Sequence, residues 1–187
     1  MLALLLALAA PATAEPPPAP PSAPPPAPAP PDTTEFVPGL FRSYSAVPGL
    51  VTAGQPQESL FVRLQESGYR TIVDLRPPGE LRGLDEPRAA RAARLRYVNV
   101  PITGATLGDR DFARVRKLLR DPKRRPLVIH CATGNRVGAT LIPFLILDQG
   151  RTPEEAMAIA ERGGLRSEPM RQKALDYVRR EAAKRDR

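Results

Sequence analysis

What this sequence has little of narrows its chemistry first. Its 187 residues include one cysteine and one histidine. A lone cysteine forms no internal disulfide, and Cys131 with His130 falls short of the three or four Cys/His ligands of an ordinary zinc site. No spaced carboxylate cluster suggests another metal, so neither metal nor cofactor is expected. Tryptophan is absent and aromatics make up 5% of the chain. The basic run Arg114, Arg116, Lys117, Arg120, Lys123, Arg124, Arg125 has no aromatics interleaved for base stacking. It reads as a solvated helix face, and nucleic-acid binding is not expected. Long apolar runs are also missing: Leu2–Ala10 is far below the roughly 20 residues that span a bilayer, so stable membrane insertion is not expected.

Positive charge is absent before Arg42. The short apolar stretch Leu2–Ala10, followed by Ala12-Thr13-Ala14, matches a signal peptide over residues 1–14 and predicts a periplasmic or secreted protein. Residues 15–35 continue a proline- and alanine-rich tract that buries too little apolar surface to fold, and they read as an extended linker. Residues 36–187 are then one folded unit of ordinary domain size. All 28 Lys and Arg fall in that unit, whereas Glu15, Asp32 and Glu35 precede it, so it carries 28 − 17 = +11. A field of that sign attracts anions such as phosphate esters.

Within the unit, helix-period and strand-period segments alternate. Ser59–Ser67 reads as a helix with Leu60, Phe61 and Leu64 on one face, and Thr71–Leu75 as a strand closed by a turn at Arg76-Pro77-Pro78-Gly79. Helix Glu86–Ala93 precedes strand Leu95–Val100. Helix Arg110–Arg120 turns Phe112, Val115, Leu118 and Leu119 inward, and Pro126–His130 is a short apolar strand of the buried parallel kind. A helix over Val137–Asp148 follows. Thr152-Pro153-Glu154-Glu155 is a capping box that starts the next helix. The last helix, Pro169–Lys184, turns Leu175, Val178 and Ala182 inward. Phe41–Tyr44 and Leu50–Thr52 form a small β-element at the entry. The pattern predicts an α/β fold with a central, mostly parallel sheet flanked by helices, and ligands bind beyond the carboxyl ends of such strands.

Cys131 stands at one of those ends. The strand delivers it to a tight loop, Ala132-Thr133-Gly134-Asn135-Arg136, that opens directly into a helix beginning with Val137. Backbone N–H groups in such a loop converge, and the helix N-terminus adds positive potential. Gly134 permits the left-handed turn, Arg136 grips an oxyanion with two parallel hydrogen bonds, and the positive surroundings favour a thiolate nucleophile. A buried structural cysteine is the plain alternative, but it leaves the Gly-Asn-Arg sequence and the immediate helix unexplained. His130 either tunes the thiolate or caps the strand by hydrogen bonding.

The stretch His130–Ala139 resembles the active-site loop of cysteine-dependent protein tyrosine and dual-specificity phosphatases. Gly49–Pro56, Ser67–Arg76 and Gly79-Glu80 are similar to a bacterial branch of that superfamily, found fused to metallo-β-lactamase-type hydrolases or to NAD kinase. The resemblance spans about residues 40–180. It implies hydrolysis of phosphomonoesters through a phosphocysteine, with Cys131 as nucleophile and Arg136 gripping the phosphate. Ala132, Thr133, Gly134, Asn135 and Val137 would line the cradle, and a phosphorylated protein or small molecule would be the partner. The chain departs from the pattern at three points. Four residues rather than five separate Cys131 from Arg136, a spacing shared with rhodanese-type sulfurtransferases. Val137 replaces the usual hydroxyl residue, for which Thr133 and Thr140 are the candidate substitutes. The general acid is not displayed by a motif: Asp109 and Asp111 are the nearby carboxylates, and each either supplies the proton or instead favours the start of a helix. Sulfur transfer through a Cys131 persulfide and non-catalytic anion binding are the alternative functions. Gln55, Asp74, Arg76 and Glu80 either line the cleft or form ion pairs of Asp74 or Glu80 with Arg76.

Overall fold

A computed structural model describes residues 43–80 and 83–185. The expected signal peptide, the linker and the Phe41 end of the first β-element lie outside these. The element order is β1 (Tyr44–Val47), β2 (Leu50–Ala53), α1 (Leu60–Glu66), β3 (Thr71–Asp74), α2 (Glu86–Ala92), β4 (Arg96–Asn99), α3 (Asp109–Arg120), β5 (Leu127–His130), α4 (Asn135–Gln149), α5 (Pro153–Arg162) and α6 (Glu168–Arg185). The strands form one sheet in the order β1-β2-β5-β3-β4. Only the β1–β2 pairing is antiparallel; β2–β5, β5–β3 and β3–β4 are parallel. The expected entry element is therefore part of the main sheet, because β2 pairs with β5 and makes it the central strand.

Period-two alternation divides the apolar residues between two cores. Val51, Ile72 and Val128 face α1 and α2 together with Leu60, Phe61, Leu64 and Ala90. Leu50, Val73, Leu127 and Ile129 face the layer of α3, α4, α5 and α6. Helix α4 is buried from Arg136 through Leu145, as a helix apolar on every side must be. It packs against α3, α5 and α6, so the segment that follows Cys131 is the pillar of the larger core. No helix among the described residues is long and apolar enough to cross a membrane.

The helix ends follow the expected capping. Thr152 Oγ1 accepts from Glu155 N at 3.2 Å while the Glu155 carboxylate accepts from Thr152 N at 3.0 Å, closing the box that opens α5. Two expectations fail. Ala182 is exposed, and α6 instead buries Ala174 and Tyr177, with Leu175 and Val178 half-buried against the core. Arg116 belongs to no solvated face, being only 6% exposed. Its Nε and Nη2 donate to Asp148 at 2.7 and 2.8 Å, and its Nη1 donates to Tyr177 Oη at 3.1 Å. Tyr177 also stacks on Phe112 with ring centroids 5.1 Å apart. One guanidinium thereby joins α3, α4 and α6.

A buried pair broken on one side leaves an uncompensated charge. Asp148→Ala should lower the unfolding free energy by about 3 kcal/mol, measured by urea denaturation. Lys117→Ala, on the exposed side of α3, should change it by less than about 0.5 kcal/mol.

Candidate active site

The site is assembled where β5 ends and α4 begins. Cys131 is fully buried at the floor, and its Sγ accepts a hydrogen bond from Gly134 N at 3.1 Å. Gly134 has φ +92°, the left-handed conformation that turns the backbone into the helix. The N–H groups of Thr133, Asn135, Arg136 and Val137 have no protein acceptor among the described residues, and they stand at the positive end of a 15-residue helix. Such a ring of free donors has the geometry to hold an oxyanion.

Arg136 is held rather than free. Its Nη1 and Nη2 donate to Glu80 Oε1 and Oε2 at 3.0 and 2.6 Å, and Nη1 also donates to Ile102 O at 3.0 Å. A guanidinium has five N–H donors, so Nε and one proton of Nη2 are left uncommitted to Glu80 and Ile102, beside the Cys131 sulfur. Burial disfavours the charged form of Arg136, but Glu80 and the nearby Cys131 outweigh it and hold the guanidinium more firmly protonated than usual. Glu80 thus pairs with Arg136, not with Arg76. Asp74 is the residue that takes Arg76, accepting from Nε and Nη2 at 3.0 and 2.9 Å.

The rest of the loop is fixed by contacts no motif displays. Asn135 Oδ1 accepts from Arg166 N and Ser167 N at 2.7 and 2.9 Å, tying the loop to the start of α6. The N–H of Gln55 donates to Ala132 O at 3.3 Å. Gly134 lies against Gly163 and Gly164 so closely that a Cβ on it would stand 2.4 Å from Gly163 O. A Cβ on Gly164 would stand 2.8 Å from Thr133 O, and Gly164 itself has φ +109°. The Gly163-Gly164 pair was legible as a helix stop but not as the wall of a binding loop.

The remaining sequence candidates divide. Val137 is fully buried in the larger core, so its side chain cannot touch a ligand and only its N–H can. The Thr140 hydroxyl donates to the carbonyls of Arg136 and Val137 inside α4, at 2.9 and 3.0 Å, which leaves Thr133 as the exposed hydroxyl of the loop. Asp109 opens α3 half-exposed and paired with Arg180 of α6, whose Nε donates to it at 3.1 Å. Asp111 Oδ2 accepts from Gly108 N at 3.0 Å and completes a helix cap. Gln55 is half-buried beside the loop.

His130 lies on the other side of the sheet from Cys131, in a sealed cluster with Asp74, Arg76 and Glu86. Its Nε2 is 3.1 Å from Glu86 Oε2 and 3.9 Å from Asp74 Oδ1, although neither ring nitrogen makes a well-aligned hydrogen bond. Asp74, Glu86 and His130 have the donor atoms of a metal site. Arg76 already pairs with both carboxylates, however, and a guanidinium there stands in for a cation. Burial, with the Asp74 carboxylate that accepts from Tyr97 Oη at 2.8 Å, raises the phenol's pKa above its ordinary value. Burial raises the Asp74 pKa, but the Arg76 hydrogen bonds and the field of His130 overcome it and hold the carboxyl below the usual range. A depressed folded pKa contributes stability that is complete above the unfolded value of about 3.9 and is lost as pH falls from there through the lower folded value.

A family model of DSP-PTPase phosphatases fused to NAD+ kinase matches residues 46–179. A β-lactamase hydrolase-like protein of Xylella fastidiosa is 31% identical over 119 residues, covering 62% of this chain and 27% of that protein. The corresponding protein of Agrobacterium fabrum is 32% identical over 91 residues, covering 46% and 21%. The chain thus spans about a quarter of the length of the curated relatives it matches. Among solved structures, the DUF442 protein of Shewanella putrefaciens CN-32 superposes with a TM-score of 0.65 at 17% identity, over 76% of this chain and 94% of that one. TpbA of P. aeruginosa, in complex with pTyr, gives 0.60 at 22% identity, over 77% and 91%. These likenesses show a shared fold.

Two substitutions test the site's supports. Gly164→Ala should cost about 2 kcal/mol or more in denaturant unfolding, from the left-handed φ and the contact with Thr133 together. Asp74→Asn should cost about 3 kcal/mol at pH 7 and flatten the loss of stability below about pH 4, read from Tm against pH.

Proposed function

The chain belongs to the family of DSP-PTPase phosphatases fused to NAD+ kinase, and on that premise we propose that it hydrolyses phosphomonoesters through Cys131. The observation that carries the reading is the ring of unpaired N–H groups over Cys131, closed by the free Nε–Nη2 edge of Arg136. In this mechanism the cradle and Arg136 hold the three non-bridging oxygens and offset the charge that develops on them. The Cys131 thiolate attacks phosphorus in line, the phosphorus–oxygen bond to the leaving group breaks, and a thiophosphate ester forms. Water then attacks phosphorus, the sulfur–phosphorus bond breaks, and inorganic phosphate leaves with the thiolate restored. The accessible Thr133 hydroxyl is the candidate to orient that water, since Thr140 is committed to α4.

Asp109 is the candidate to protonate the departing oxygen. Its carboxylate must exchange Arg180 for the substrate to do so, and only a good leaving group departs readily without that proton. The family match supports phosphate over the sulfur transfer that the four-residue Cys-to-Arg spacing also allows. TpbA binds pTyr on the same fold, which supports an aryl phosphate as the first substrate to try.

The test is phosphate release from an aryl phosphate by the reduced full chain. Cys131→Ser should abolish turnover, and Arg136→Ala should lower kcat/KM by about 10²–10³. Asp109→Asn should leave aryl phosphate hydrolysis within tenfold but cost about 10² or more on an alkyl phosphate. Equal effects on the two substrates would remove Asp109 from the acid role, and turnover surviving in Cys131→Ser would overturn the mechanism.

A further inference from the structure

At the end of the sheet where β3 and β4 begin, away from Cys131, a concavity of about 670 Å³ opens beside the last turn of α2. Five cationic side chains line it. Arg70 precedes β3, Arg91 lies near the end of α2, Arg94 sits in the turn that follows, Arg96 opens β4, and Lys123 comes from the short helix before β5. No described residue lining the hollow is acidic. All five cations are exposed. None has an ion pair or a side-chain hydrogen bond among the described residues, whereas Arg116, Arg124, Arg136, Arg171 and Arg180 are all paired.

Two features separate this hollow from an ordinary solvated basic face. Its cations come from three separate stretches of the chain, residue 70, residues 91–96 and residue 123, so no single helix period produces the cluster. Among the described residues, moreover, Arg94 is the one non-glycine with positive φ, at +55°. Glycine or asparagine takes that conformation at lower cost, so a guanidinium is kept at the rim against local backbone preference. Like charges gathered without a counterion repel one another, and a multivalent anion relieves that repulsion.

We propose that this hollow binds a compact anion bearing several phosphate groups, at a site separate from the Cys131 loop. Arginines meet phosphate oxygens with bidentate hydrogen bonds, and the volume falls in the range of small-ligand sites. A base-stacking nucleic acid fits poorly. Tyr97, the one aromatic in the lining, is half-buried with its hydroxyl bonded to Asp74 at 2.8 Å. A lipid surface also fits poorly, because the hollow is concave and the exposed large hydrophobic of the described residues, Val62, lies on α1. The shared chemistry is a chain of phosphates, whether inorganic or carried by a nucleoside.

The experiment is calorimetric titration of tripolyphosphate and of a nucleoside triphosphate into the full-length Cys131→Ser variant, which cannot consume them through the thiolate. Binding should weaken at least tenfold when Arg91→Ala and Arg96→Ala are combined on that background. It should stay within threefold when Arg136→Ala is added instead. Arg94→Gly should weaken binding several-fold without lowering Tm, since glycine suits the left-handed turn. Equal affinity for the two probes would assign recognition to the phosphate chain, and tighter binding of the nucleoside form would add a base contact; both support the site. Loss of binding in Arg136→Ala with none in the Arg91/Arg96 variant would overturn it. So would the absence of binding, or tighter binding to duplex DNA or anionic phosphatidylserine vesicles than to either probe.

Discussion

Backbone packed directly on backbone, at Gly134 against Gly163-Gly164, is the contact on which the site depends. Thr133, Gly134 and the α5–α6 connection approach so closely that no Cβ fits on Gly134 or on Gly164. Gly138, one turn into α4, meets Ala160 and Leu165 in the same way. Because α4 fills the larger core from Arg136 to Leu145, its N-terminus cannot move without repacking that core. The cradle over Cys131 is therefore as rigid as the core beneath it. Asn135 adds a polar tie from the loop to the backbone of residues 166 and 167.

The two buried arginines near the strand ends illustrate how environment separates a charge fully met by protein from one with donors to spare. Arg76 faces Asp74 and Glu86 in a sealed cluster, 1% exposed, with its charge fully met by protein. Arg136 meets one carboxylate through two of its nitrogens and one carbonyl, and keeps an edge of donors uncommitted beside the thiol. Glu80 orients that edge without filling it. The positive end of α4 acts on the same space, so the local field favours an anion even though Glu80 is near. At the opposite end of the sheet the balance tips further, with five cations and no acidic neighbour lining one hollow.

The element order was readable because each element carries its own periodic signal. Leu60, Phe61 and Leu64 fall on one helical face, Val128 and Ile129 on alternate faces of a strand, and Thr152 to Glu155 form a local cap; the structure places them accordingly. Errors arose where a long-range partner decides. Arg116 falls on the helical face of Phe112 and Leu119, but its charge reads as part of a solvated basic run; Asp148 and Tyr177 meet that charge and keep it inward. Ala182 matches the inward spacing of α6, but that far along the helix no neighbouring layer covers it. Glu86 opens its helix as expected, and its full burial, which no local signal marks, is met by Arg76 and His130 opposite.

The sequence by itself determined the fold class, the order of the helices and strands, and the strand–Cys131–loop–Arg136–helix unit with its family. All of these rest on residues close together in the chain, where rotamer preference, turn chemistry and periodicity act locally. Tertiary structure alone decided that Glu80 holds Arg136, that Asp109 pairs with Arg180, that Val137 offers only its N–H, and that Gly163-Gly164 walls the loop. These outcomes depend on groups separated by many residues: the layer packed on α4 buries Val137, and pairing among a surplus of charges follows from which side chains the sheet and α4 bring within a few ångströms. Sequence spacing carries no record of that distance.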